Sequence, residues 1–326
     1  MLLIFNFLIF NELKNKKNRL NSLAVLGFMH DLKLISLYYK VCELYNSTLQ
    51  YNVQRFSNNG NKGNITNEEL ITMHLFAQIY EQKHEKKQVY DYIKNHWLAW
   101  FPTLPSYQTF CDRLNNLTGA YEHFIIHIFD SLPPITQQEL RIILGDSMPI
   151  ITCSGKRINK VATHICDKTY CASKNLWYQG VKLHLLADRR KSTLPMPVYI
   201  KITPASVHDL TAVREVIEKE ENTIFVLDKA YCDENLSKEL QKKNSCLFTP
   251  EKDKRNTTKT LKKMDFAFKK QLNTAVAKIR QPIESAFNWI HQKTNIQNAS
   301  KIRSEKGLWL HIFSKLTAAF IILTEF

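Results

Sequence analysis

No two of the seven cysteines stand in a CxxC pair; Cys42, Cys111, Cys153, Cys166, Cys171, Cys232 and Cys246 are odd in number and scattered. Such a set fits reduced thiols in a cytosol and excludes a disulfide framework. The run His164-x-Cys166-x4-Cys171 lacks a second half-site at zinc-ligand spacing. Also missing is an uninterrupted apolar stretch of the ~20 residues that a bilayer span needs. The opening MLLIFNFLIF is too short, with no basic region before it and no small-residue cleavage site after it, so it makes a poor signal peptide. Met29 reads as the start of the protein proper, with 1–28 an upstream extension. The apolar run 308–323 is broken by His311 and Lys315; it predicts a buried closing helix and no membrane partner. No internal repeat is visible.

What is present is positive charge, and it is unevenly placed. The 326 residues carry a formal net charge of +15. Residues 1–140 hold 13 Lys/Arg against 12 Asp/Glu, whereas 141–326 hold 32 against 18. Nearly all the excess therefore belongs to the second half, which suits a polyanionic substrate whose phosphates must be neutralised. Hydrophobic residues make up 44% of the chain, ample for a packed core.

The first half reads as helical. After an Asn/Gly-rich polar loop at 52–64, Thr66 and Glu69 form a capping box. Leu70, Met73, His74, Ala77 and Tyr80 then recur at helical spacing. Further helices are predicted at 85–97, 106–117 and 119–130, the second of these placing Phe110, Leu114 and Leu117 inward. This unit, 29–135, suits DNA-end binding through Gln108 and Arg113 as a helix-turn-helix, or dimerisation. Pro133-Pro134 marks a linker.

From 136 the pattern changes to strands and helices, an α/β domain running to 326 with a basic insert at about 251–280. Strands are predicted at RIILGDS, 177–188 (Val181, Leu183 and Leu185 on one face) and 195–203 (Val198, Ile200 and Ile202 alternating). Helix 208–220, strand NTIFVLD, helix 233–243 and strand 245–250 follow. Three strands in meander order, then helix–strand–helix–strand, resemble the RNase H-like fold: a mixed sheet flanked by helices, here preceded by the all-helical unit. In that fold the first and fourth strands are neighbours, which would bring Asp146 and Asp228 together.

Asp146 and Asp228 end two of these apolar runs, and Glu284 lies on a strongly amphipathic helix. Carboxylates without a His/Cys cage suit Mg²⁺, which prefers oxygen ligands. Two such ions would assist phosphodiester cleavage, one activating the nucleophile and one stabilising the leaving oxygen. Asp146 would bridge the ions, Asp228 share the first and Glu284 complete the second, with Mn²⁺ able to substitute. Residues 252–280 contain ten Lys/Arg and two acids, a phosphate-binding track leading to Glu284, with Phe266 and Phe268 available for stacking. Lys182, Lys252, Lys254, Arg255, Arg280, Asn288, His291 and Lys293 are the expected DNA contacts; Asn288 and His291 share the helix face of Glu284. Alternatively, Arg280 pairs with Glu284 at i−4.

The blocks FPTLPSYQTFCDRLNNL, GDSMPI, GVKLHLLAD, PVYIKITPASVHD, FVLDKAYCD and IRQPIESAFNWIHQKTNIQNASKIRS resemble, in order from about Met29 to the end, the insertion-sequence-982 family of bacterial DDE transposases. The resemblance implies an RNase H-like catalytic domain, Mg²⁺ dependence, and Asp146, Asp228 and Glu284 as the catalytic triad. It implies as partners double-stranded DNA, both element ends and target, and a homodimer in the cytoplasm. The wider pattern is not fully kept: Ala277 stands where a tyrosine precedes the arginine, and His291 where a lysine follows the glutamate. His208-Asp209 also recurs in related transposases, as a cap or a catalytic pair. A nuclease without strand transfer, or a decayed or domesticated DNA-binding protein, are the alternatives.

Overall fold

The computed structural model describes residues 22–54, 65–132, 141–158, 160–172, 174–250 and 259–325, with the side chains of 22–28 and 259–269 outside the description. Residues 1–21 of the expected extension, the Pro133-Pro134 linker, and Lys252, Lys254 and Arg255 all lie outside it, as do the side chains of Phe266 and Phe268. Five helices come first: α1 (Ser22–Ser47), α2 (Asn67–Ile79), α3 (Lys86–His96), α4 (Tyr107–Asn116) and α5 (Thr118–Asp130). Their starts follow from the sequence. Thr66 and Glu69 exchange side-chain and backbone hydrogen bonds across the first turn of α2, satisfying two amides left open by the helix. On α4, Phe110 and Leu114 are buried, as is Leu117 after its last turn. Arg113 donates to the Ile65 carbonyl at 2.6 Å and to Asn67 at 2.8 Å. Gln108 donates to Asp112 one turn on.

The second part contains β1 (Arg141–Ser154), β2 (Asp167–Cys171), β3 (Leu176–Asp188), β4 (Met196–Pro204), α6 (Asp209–Lys219), β5 (Thr223–Leu227), α7 (Glu234–Lys242), β6 (Cys246–Phe248), α8 (Lys259–Thr294) and α9 (Glu305–Thr324). The six strands form one mixed sheet in the order β2-β3-β1-β5-β6, with β4 also on β3. β1 runs antiparallel to β3 and parallel to β5, with Gly145 opposite Leu227. The first and fourth expected strands are thus neighbours, as the RNase H-like order requires.

Three details depart from the sequence expectation. β1 continues past Asp146 to Ser154, through Pro149, whose ring reads as a stop signal because it removes a ladder donor. β2 carries no apolar run, so nothing in its short polar sequence announces a strand. On β4, Val198 packs toward the face opposite Ile200 and Ile202, because a register shift between Leu186 and Ala187 reverses the alternation. At a second shift, Gly180 comes so close to β1 that a Cβ there would lie 2.0 Å from the Ile150 carbonyl oxygen.

The sheet is buried on both faces. Ile143, Leu186, Phe225 and Leu227 pack against Leu210, Val213 and Ile217 of α6 and Leu236 and Leu240 of α7. Leu144, Met148, Ile150, Val181, Leu183, Leu185 and Val226 join a core that includes α8 and α9 and continues into the N-terminal helices. α9 is long and apolar enough to cross a membrane, but two-thirds of its most apolar stretch is buried, as expected of a closing core helix.

Because strand side chains alternate with a period of two, this burial pattern already orients the acids. Asp146 has the parity of Leu144 and Met148, and Asp228 that of Val226, so both face α8. Val276, Ile283, Phe287 and Ile290 form the buried stripe of α8. Glu284 lies beside that stripe and is exposed.

Candidate active site

The β1–β5 pairing ends at Gly145 and Leu227. β1 meets no new neighbour on that edge until Ile151, whose amide and carbonyl bond Gln297 and Ala299 just after α8. Asp146 stands in the gap between, and Asp228 directly follows the last residue of β5. Asp228 precedes a 3-10 turn, Lys229–Tyr231, but its carboxylate makes no capping hydrogen bond to it. That leaves the group available to the gap.

Arg280 of α8 occupies the centre. Its Nη1 lies 3.1 Å from Asp228 Oδ1 and 3.7 Å from Asp146 Oδ2, and its Nη2 pairs with Glu284 one helical turn away. One guanidinium therefore faces all three sequence-expected acids. The contacts differ in weight. Glu284 is 51% exposed, and a solvated i,i+4 pair contributes only about 0.3–0.5 kcal/mol. Asp146 is 23% exposed, so the charge that most needs compensation is there.

Burial pushes the Asp146 carboxyl up to about 6, against the pull of Arg280 and of the Ser147 amide, which donates at 2.8 Å. The neighbouring charges of Asp228 and Asp209 push it up further. Such a crowded set of carboxylates has a standing demand for positive charge.

Behind these residues lies an arrangement that sequence patterns did not place. Asp209, the first residue of α6, accepts from Ser147 Oγ at 3.1 Å and from Lys182 Nζ at 2.7 Å. Its neighbour His208 caps α6 by backbone position without a side-chain bond. Lys182 is thus ion-paired with Asp209, its side chain 17% exposed. Tyr231 is buried close enough to Asp209, Asp146 and Asp228 for their charges, after burial itself, to suppress its ionisation; its hydroxyl has no hydrogen-bond partner among the described residues. The only advance signals were the His208-Asp209 pair and the position of Tyr231 three residues after Asp228.

The remaining expected contacts are dispersed along α8. Asn288 is exposed, and Lys293 is half-buried. Burial and the charges of Lys174 and Lys315 lower the pKa of His291, and its Nδ1 is buried without a partner among the described residues. His164, Cys166 and Cys171 form no metal group.

Oxygen donors converging on one cationic group fit a divalent ion by chemistry. Among the described residues no three His, Cys, Asp or Glu side chains are grouped to hold one, and the Arg280 guanidinium faces the three carboxylates.

The family model described as "Transposase DDE domain" matches residues 137–321. No curated protein matches the chain.

Proposed function

From the chain's membership of the DDE transposase domain family, matched over more than half its length, we propose that it cuts the ends of an insertion sequence and joins the freed 3′-OH to target DNA. Asp146, Asp228 and Glu284 are the catalytic acids, and the insertion-sequence-982 group is the branch its motifs resemble. The convergence of these three carboxylates, from two adjacent strands and a helix, on the single guanidinium of Arg280 is what supports this reading.

When bound, Mg²⁺ would be held by these carboxylates and would supply Lewis-acid stabilisation of the charge that develops on the phosphate, along with activation of the attacking oxygen. The chain's own residues do the rest. Asp146 sits where burial makes its charge costly, so it binds a cation in preference to solvent. Ser147 and Lys182 hold Asp209 against the rear of the site and fix the strand that carries Asp146. Asn288 lies one turn beyond Glu284 on the same helix face, in position to contact a phosphate. Two element ends must be handled together, so the working form is a dimer acting on DNA in the cytoplasm.

The test uses duplex DNA bearing the element's terminal repeats, with Mg²⁺. Asp228→Asn and Glu284→Gln should each lower strand cleavage by at least about 100-fold, equivalent to about 3 kcal/mol of transition-state stabilisation. Cleavage retained in Asp228→Asn overturns the assignment. Supplying pre-cut 3′-OH ends distinguishes a transposase from a nuclease, since only the former yields joined product.

A further inference from the structure

The catalytic reading leaves one conspicuous surface without a task. β2 and β3 form a hairpin, β2 flanking β3 over 176–180 where β4 flanks it over 181–188, and Tyr170 pairs in register with Trp177 across it. Both rings are exposed, 45% and 57%, and lie 5.5 Å apart. Lys168, two residues before Tyr170 and so on the same face, sets its ammonium 5.7 Å from the Trp177 ring. The turn after β1 lies alongside: the Gly155 amide donates to the Trp177 carbonyl at 2.8 Å, and the Arg157 carbonyl accepts from Gln179. Lys156 and Arg157 on this turn are exposed. Lys174, at the hairpin's own turn, reaches Gln297 just past α8.

Residues 154–177 contain five Lys/Arg and a single acid, Asp167, and that acid accepts a hydrogen bond from Ser206. Exposed aromatics set among cations of one sign are poorly suited to a second copy of the same surface. A two-fold contact would bring like charge against like. They suit a polyanion with flat apolar edges.

Resting on the active-site reading, we propose that this hairpin face, Lys156, Arg157, Lys168, Tyr170, Lys174 and Trp177, is a second duplex-DNA contact that grips the substrate away from the cut. Asp146 and Ser154 are eight residues apart on one continuous strand, about 26 Å at the rise of a β-strand. With DNA rising about 3.4 Å per base pair, the hairpin meets the duplex roughly 7–8 base pairs from the scissile phosphate. The basic side chains take phosphates and the aromatic pair lies against sugar edges, so the contact positions the duplex without reading its sequence.

The experiment uses the full chain and a labelled duplex carrying an element end, with Kd measured from low to moderate salt and a backbone-protection footprint. Lys156→Gln combined with Arg157→Gln should reduce the slope of log Kd against log salt by about 2 and erase protection roughly 7–8 base pairs from the cleavage site. Protection next to that site should remain. Trp177→Ala should weaken binding about tenfold without changing the slope. Wild-type slope and footprint in these variants overturn the proposal. So does altered self-association in sedimentation at unchanged DNA affinity, which would make the hairpin a protein interface. A wild-type chain that binds with the expected footprint but does not cleave overturns the catalytic reading and leaves the hairpin contact standing.

Discussion

Arg280 Nη1 stands 3.1 Å from Asp228 Oδ1, tying the middle of α8 to the end of β5. The same guanidinium faces Asp146 and pairs with Glu284, so one side chain neutralises what a divalent cation would otherwise neutralise. On the proposed function, arginine and a divalent cation would compete for the same carboxylates.

Arg280→Gln should destabilise the metal-free protein by about 1–2 kcal/mol. This is less than the loss of a fully buried pair, because Asp228 and Glu284 are partly solvated. The rise in Tm on adding MgCl₂ should be larger in the variant than in the wild type, since binding no longer displaces a guanidinium. Equal Mg²⁺-induced shifts in the two proteins would show that no competition exists.

Stability should fall steeply in mild acid. Burial holds His74 down to about 3 and His84 and His184 to about 4; it also lowers His291, and lowers His311 well below its usual value. All five folded values lie below the unfolded value of about 6.5, so below that pH the unfolded chain binds more protons. Their contribution is complete above 6.5 and is lost as pH falls from 6.5 toward 4, each by up to about 1.4 kcal/mol per pH unit. Asp146 acts in the opposite sense: its raised value contributes stability that is present below about 4 and lost as pH rises to about 6. It offsets about one imidazole in that window. Urea midpoints at pH 7.5 and 5.5 measure the net effect, and His74→Gln should make the decline shallower. A midpoint that does not move between these pH values would contradict the burial of these rings.

Gly180→Ala should be strongly destabilising, by about 2–3 kcal/mol, because the new methyl meets the Ile150 carbonyl at 2.0 Å and backbone must shift to admit it. The shift falls where β3 turns into the hairpin, so the hairpin footprint should be lost along with stability. Thermal unfolding and the protection assay together check this; an unchanged Tm would show that the strands separate freely there.

Much of this was legible beforehand, for identifiable reasons. The Thr66–Glu69 cap is a purely local exchange of hydrogen bonds, and it forms as read. The apolar runs ending at Asp146 and Asp228 bury both faces of a sheet, and such runs announce strands without knowledge of their partners. Lys182 and Arg113 were different. Each is a basic residue on a regular element, and the sequence had no means of distinguishing an outward cation from one held by Asp209 or by the Ile65 carbonyl. Val198 failed for a related reason, since one register shift reverses every residue beyond it.

The amino-acid order alone determined most of the elements, the concentration of positive charge in the second half and the three acids worth following, because period, capping and composition are local or summed properties. Only tertiary structure decided that those acids surround Arg280, that Asp209 and Tyr231 stand behind them, and that β1 overruns into an aromatic hairpin. Such relationships depend on register, bulges and the meeting of residues far apart in the chain, and no local pattern encodes the distance between two side chains.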